Sequence, residues 1–206
     1  GMTIQRPRIE LWFEFASTYS YLTVMRAGPL LEQAGVELVW RPFLLGPIFQ
    51  DKGMPTSPFV IDTVKGAYMW RDVARRAERY GLAFRRPPSF PANGLSAARI
   101  MTAALNEPWC GNFARAVFRA QFQRGEDISD PGVLGTAITA CGQTATPWLE
   151  KATTAPVKAR LRELTNKARE HGIFGAPSFV VSGELFWGDD RLEDAIEHAT
   201  RAKPYP

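Results

Sequence analysis

The stretch Phe13-Glu14-Phe15-Ala16-Ser17-Thr18-Tyr19-Ser20-Tyr21-Leu22 decides the fold of this chain. Before it, Ile9-Glu10-Leu11-Trp12-Phe13-Glu14-Phe15 is dense in aromatic and apolar residues and reads as a buried strand. After it, residues 19–34 carry Leu22, Met25, Leu30 and Leu31 at helical spacing and end at Gly35, a residue suited to closing a helix. Ser17 is therefore expected in a strand-to-helix turn, at the N-terminus of the first helix. Unpaired N–H groups and the positive end of the helix dipole favour an anion at such a place. A Cys-x-x-Cys pair there would be a redox site. The frame reads Ser17-Thr18-Tyr19-Ser20 instead, with no thiol and a hydroxyl in the first position.

Beyond this helix, Val36-Glu37-Leu38-Val39-Trp40-Arg41, closed by Pro42, is a second β-like run. Strand, helix and strand at this spacing predict a βαβ unit with parallel strands. Pro29 predicts a kink or a division of the helix. Residues 43–58 are punctuated by Gly46-Pro47, Gly53, Pro55 and Pro58 and read as a long loop of the kind that lines a site. Helices are then expected over 64–80, with Val64, Ala67, Tyr68, Val73 and Ala77 as the inner face, over 94–106 and over 112–124. Asp130-Pro131 and Thr146-Pro147 each combine a cap with an early proline and open two more, and 156–171 closes the series at Gly172. No convincing strand and no internal repeat lie in this block. The C-terminal end returns to β: Ser178-Phe179-Val180-Val181 and Glu184-Leu185-Phe186-Trp187 flank the tight turn Ser182-Gly183. A last helix is expected from 191 to about 201, with Asp190 as its cap and Glu193 completing a capping box. The fold class is α/β, a βαβ unit and a ββα unit around a large all-helical insertion. Residues 9–45 and 172–203 make one discontinuous domain and 46–171 the insertion.

Composition narrows the function. The 206 residues suit one domain with a large insertion, and 45% hydrophobic residues suffice for a packed core. No apolar run reaches the roughly 20 residues of a membrane span, so no membrane partner is expected. Residues 1–8 lack an apolar signal core, Gly1 before Met2 reads as an expression scar, and a cytoplasmic location is expected. Cys110 and Cys141, far apart and each in a helical context, are expected as free thiols. The net charge of +4 comes largely from arginines including Arg71, Arg75, Arg76, Arg79, Arg85 and Arg86. Asp72 and Glu78 are interleaved with them, which favours a solvated helix face over a nucleic-acid surface and leaves a field that suits a small anion. The only histidines are His171 and His198, and no Gly-x-Ser-x-Gly elbow is present, which argues against a Ser-His-Asp hydrolase. No metal is expected.

Three turns together carry a resemblance: Ser17-Thr18-Tyr19-Ser20-Tyr21-Leu22, Phe174-Gly175-Ala176-Pro177-Ser178 and Phe186-Trp187-Gly188-Asp189-Asp190-Arg191-Leu192. In this order they resemble the 2-hydroxychromene-2-carboxylate isomerases, glutathione-dependent relatives of kappa-class glutathione transferases and of DsbA-like oxidoreductases. From the residues alone, Ser17 reads as a helix-capping serine, Pro177 as a strand-start proline, Asp190 as a cap and Asp189 as a surface residue. The resemblance implies more. It implies a thioredoxin-like domain with Pro177 in the cis form, and Ala176 offering its backbone to glutathione in the manner of an added strand. Trp187, Gly188, Asp189, Asp190 and Arg191 would hold the γ-glutamyl end, and Ser17 would hydrogen-bond the thiolate. The implied reaction interconverts 2-hydroxychromene-2-carboxylate and trans-o-hydroxybenzylidenepyruvate, or a related aromatic α-keto acid. For this substrate the candidate polar contacts are Lys65, Tyr68 and Asn93, and the candidate walls Trp12, Phe43, Phe49, Tyr68 and Phe90. A homodimer is implied by the family. A kappa-like transferase conjugating a small electrophile and a non-catalytic glutathione-binding module are the alternatives. The chain departs from the family at Thr18, where proline is common, at Gly94, where an aromatic is expected, and in the 43–58 loop.

Overall fold

The apolar run before Ser17 forms β1 (Arg8–Phe13), and α1 (Thr18–Ala34) follows it. The computed structural model describes residues 6–201. The reading of the first five residues as lacking a signal core, and the end of the 172–203 segment, lie outside them. β1 stops two residues earlier than its apolar character suggests, because Glu14 to Ser17 turn the chain into α1. That turn is closed by Ser17 N–H donating to the Glu14 carbonyl at 3.0 Å. α1 runs through Pro29 without division and ends at Gly35, whose φ of 69° is a left-handed conformation that glycine adopts at little cost.

β2 (Glu37–Pro42) pairs parallel to β1, with Arg8 opposite Glu37 and Phe13 opposite Pro42. β3 (Ser178–Val181) pairs antiparallel to the other side of β1, and β4 (Glu184–Trp187) forms a hairpin with it across Ser182 and Gly183, both at positive φ. The strand order is β2-β1-β3-β4. Pro42 is tolerated because β2 is an edge strand.

Between β2 and β3 the chain is helical. The stretch read as a 43–58 loop contains α2 (Leu45–Asp51), and α3 (Pro58–Ile61) begins at its end. Pro47 falls in the first turn of α2, where its missing N–H costs little, and Leu45 and Ile48 supply a buried face. Then come α4 (Thr63–Arg79), α5 (Leu95–Ala103), α6 (Cys110–Phe122), α7 (Pro131–Ala140), α8 (Ala145–Lys151) and α9 (Ala155–Glu170). The inner face of α4 is Gly66, Met69, Val73 and Ala77, whereas Val64, Ala67 and Tyr68 are exposed. Gly66 rotates the helix this way by packing directly on the Phe59 carbonyl, an approach that leaves no room for a side chain. After β4 a 3-10 turn (Asp189–Arg191) precedes α10 (Leu192–Thr200).

Alternation along β1 feeds two apolar clusters. Ile9, Leu11 and Phe13 join Tyr21, Leu22, Met69, Val73, Phe113, Phe118 and Leu161 in the larger one. Trp12 points the other way, into a smaller cluster with Phe43, Ile48, Ala168 and Val180. Cys110 is buried, Cys141 is half-buried, and both are free. Among the described residues no helix is long and apolar enough to cross a membrane.

Candidate functional site

Ser17 is the N-cap of α1, with extended backbone angles and its Oγ accepting from the Ser20 N–H at 3.0 Å. The same hydroxyl donates to the carbonyl of Ala176 at 3.1 Å, a contact across 159 residues of chain. Ser20 is fully buried, and its Oγ accepts from the Glu14 N–H, so it fastens the turn from below and takes no part in the cavity. The Ala176-Pro177 peptide bond is cis, as is Phe90-Pro91. Ser178 Oγ donates to the Gly175 carbonyl at 2.8 Å and Gly188 N–H to the Pro177 carbonyl at 2.9 Å, which tie this turn to β3 and β4. The Ala176 N–H has no partner within the described residues.

Above Ser17 and Ala176 opens a cavity of about 840 Å³. Phe49, Phe59, Tyr68, Phe90, Phe174 and Trp187 give it apolar walls, and Lys65, Asn93, Asp189 and Asp190 also reach it. Most of the anticipated site residues therefore meet in one place. Trp12 and Phe43 do not: both are completely buried in the smaller cluster. Pro177 shapes the floor without lining it, and Arg191 is turned outward, pairing with Asp194 at 3.2 Å. The 43–58 segment lines the cavity, as a loop there would, but does so partly as helix α2.

The Asp189-Asp190 pair differs from its expected form. Asp189 is 1% exposed and is not a surface residue. Its Oδ1 accepts from Thr23 Oγ1 at 2.7 Å and Arg26 Nε at 2.9 Å, and its Oδ2 from Arg76 Nη2 at 3.1 Å and Tyr80 OH at 3.1 Å. Burial works against the charge on both arginines. Glu193 and Asp189 around Arg26, and Asp189 beside Arg76, outweigh it and hold both firmly protonated. Asp190 does not cap α10. The 3-10 turn moves the cap to Arg191, which makes no side-chain cap bond, and with it the Asp190–Glu193 capping box disappears. Asp190 is instead exposed at the cavity mouth and in no ion pair among the described residues.

Phe59, Phe174, Lys52 and Asp72 also line the cavity without having been anticipated as its contacts, and so do three further residues. Tyr19 lines the cavity and donates to Asp72 Oδ2 at 2.7 Å; burial, with the neighbouring Asp72, pushes its phenol upward. Arg76 lines it from α4, and the only hint was its place in an arginine-rich helix. Glu14 lies on the floor, its carboxyl accepting from the Ala16 N–H at 3.2 Å and pushed up to about 7 by burial, against the lowering effect of that N–H. Its signal was an acidic residue inside an otherwise apolar run.

The chain is similar over most of its length to known proteins. The chain is 26% identical over 187 residues to the 2-hydroxychromene-2-carboxylate isomerase of Sphingobium xenophagum, covering 90% of this chain and 94% of that one. It is 30% identical over 199 residues to glutathione S-transferase kappa 1 of Homo sapiens, covering 90% and 87%. In structure it resembles a 2-hydroxychromene-2-carboxylate isomerase with a TM-score of 0.81, at 22% identity over 92% of this chain and 94% of that one. The sequence pattern of the DSBA-like thioredoxin domain matches residues 8–199, nearly the whole described chain, and the chain belongs to that family.

Proposed function

We propose that this protein is a glutathione-dependent isomerase that interconverts 2-hydroxychromene-2-carboxylate and trans-o-hydroxybenzylidenepyruvate, or a related aromatic α-keto acid. The observation that carries the reading is the Ser17 hydroxyl held at the start of α1, against the Ala176 carbonyl, on the floor of an apolar cavity. The relatives named as isomerases and as kappa transferases support it.

The residues present fit glutathione. The unpartnered Ala176 N–H and its carbonyl can pair with the backbone of an extended peptide. The N–H groups of Asp189 and Asp190 suit the γ-glutamyl carboxylate, and the exposed Asp190 suits its ammonium group. Asp189 is not free to do so, because both its oxygens are already taken by Arg26, Arg76, Thr23 and Tyr80. Bound there, glutathione would supply a thiolate nucleophile for a conjugated double bond, held by the Ala176 backbone and Ser17. Ser17 has one O–H and now spends it on Ala176. Turning that O–H to the sulfur stabilises the thiolate and at the same time releases the Ala176 carbonyl as an acceptor for the peptide N–H. The start of α1 adds its dipole. Phe49, Phe90 and Trp187, which line the cavity, would exclude water from an aromatic substrate, and Lys65, Tyr68 and Asn93 of the same lining would meet its carboxylate or keto oxygen.

Glutathione is expected to bind in calorimetry and 2-hydroxychromene-2-carboxylate to turn over without consuming it. Ser17→Ala should lower turnover about 100-fold and raise the pKa of bound glutathione, read as thiolate absorbance. No heat of glutathione binding would defeat the reading. Stoichiometric loss of glutathione to a stable conjugate would assign the site to transfer, the activity of the 30% identical kappa relative.

A further inference from the structure

We propose that Glu14 is a catalytic acid and base of this site, passing a proton to and from the keto oxygen of the substrate. This rests on the reading of the cavity as a glutathione and α-keto acid site. Three observations on geometry support it. Glu14 lines the cavity floor three residues before Ser17, and its carbonyl holds the Ser17 N–H, so carboxyl and hydroxyl are set by one turn. Only one of its carboxyl oxygens is used by the protein: Oε2 accepts from the Ala16 N–H, while Oε1 accepts nothing from the described residues. Opposite Oε1 lies Gly94, where a Cβ would come within 3.8 Å of that oxygen and 3.2 Å of the Phe15 Cβ. Gly94 is thus packed closely over the Phe15–Ala16 turn and helps to bury the carboxyl.

The charged and titratable groups around the cavity do not neutralise Glu14. Tyr19 of α1 and Asp72 of α4 bond to each other, and Arg76 is committed to Asp189. Lys52, Lys65, Tyr68 and Asp190 reach the cavity from its sides and mouth. The carboxyl is raised by burial alone, opposed by the Ala16 N–H, and sits at about 7. Both of its protonation states are therefore populated near neutrality, which suits a group that must give and retake the same proton.

The step balances. The hemiketal first opens, its C2–ring-oxygen bond breaking while the hydroxyl proton passes to the phenol oxygen and C2 becomes the keto carbon; as a nucleophile adds to the double bond conjugated with that keto group, the π electrons move onto the keto oxygen. The Glu14 proton passes to that oxygen, leaving a carboxylate. After rotation about the carbon–carbon bond, the carboxylate takes the proton back, the double bond re-forms and the nucleophile leaves. Nothing is oxidised or reduced.

The test combines Glu14→Gln and Glu14→Asp with two readouts. With 2-hydroxychromene-2-carboxylate at saturating glutathione, wild-type kcat should fall as pH rises through about 7. Glu14→Gln should lose that limb and about 100-fold in kcat with glutathione affinity retained, and Glu14→Asp should restore part of both. The second readout needs no ligand. A carboxyl raised in the folded state binds its proton more tightly there than in the unfolded chain, so wild-type stability should fall as pH rises from 4.5 to about 7, and Glu14→Gln should abolish that fall. Glutathione binding with an unchanged pH limb in Glu14→Gln overturns the role of Glu14 alone. Failure of the wild type to bind glutathione overturns both this role and the function it serves.

Discussion

At the residue scale, the clearest division of labour is between Asp189 and Asp190. Adjacent in sequence and identical in kind, they end in opposite environments: Asp189 beneath two arginines, a tyrosine and a threonine, Asp190 at the cavity mouth. The Arg26 side chain is 9% exposed and that of Arg76 21%, so removing the carboxylate between them strands two poorly hydrated charges. Asp189→Asn should cost about 3 kcal/mol in urea unfolding, at the low end for breaking a buried ion pair because Glu193 still faces Arg26. Asp190→Asn should leave stability within about 0.5 kcal/mol, as for a surface change, and a comparable loss for both would show that the two are not so divided. The FWGDDRL pattern placed both near a ligand. It could not say which was buried, since that depends on Arg26 of α1 and Arg76 of α4, brought together only by packing.

At the scale of elements, turns rather than helices or strands build the site, and their geometry is tuned by what fits beside them. Gly175 is an example: a Cβ there would sit 2.5 Å from Trp187 Nε1 and 3.2 Å from its Cδ1. Trp187 is 52% exposed and lies against Phe174 with ring centroids 4.9 Å apart and planes tilted by 57°, so the ring can swing aside without disturbing the core. Gly175→Ala should therefore change tryptophan fluorescence and weaken glutathione binding about 5- to 10-fold, the loss of one aromatic contact. Its unfolding midpoint should hardly move; a large drop would mean that the ring cannot yield. The start of α10 teaches a related lesson. Asp190 and Glu193 have the spacing of a capping box, yet the chain leaves β4 through Gly188 at φ 111° and a 3-10 turn, which starts the α-helix one residue later. A cap pattern in sequence names candidates, and the direction of chain entry selects among them.

At the scale of the whole molecule, the sheet and the helices between β2 and β3 share one apolar cluster, in which Ile9, Leu11 and Phe13 of β1 meet Phe113, Phe118 and Phe122 of α6. Phe118 lies 5.2 Å from Phe15 and 6.2 Å from Phe13 between ring centroids, so it joins the helical block to the root of the Ser17 turn. Calorimetry should show a single transition, and Phe118→Ala should lower its stability by about 3–5 kcal/mol without splitting it. Two resolved transitions would show that the shared cluster does not couple the parts. By itself the sequence determined the order of elements, the βαβ and ββα units and the three turns that belong together, because periodicity, caps and glycine stops are local and leave local marks. It also located Ser17 at the start of α1, since a strand run followed directly by a helix run leaves a turn nowhere else to go. Only the tertiary structure decided which face of α4 is inward, that Trp12 and Phe43 are core and not cavity wall, that Asp189 is buried, and that Glu14 has a free oxygen under Gly94. Those outcomes depend on desolvation and close approach between segments tens of residues apart, and no local pattern encodes a partner that far along the chain.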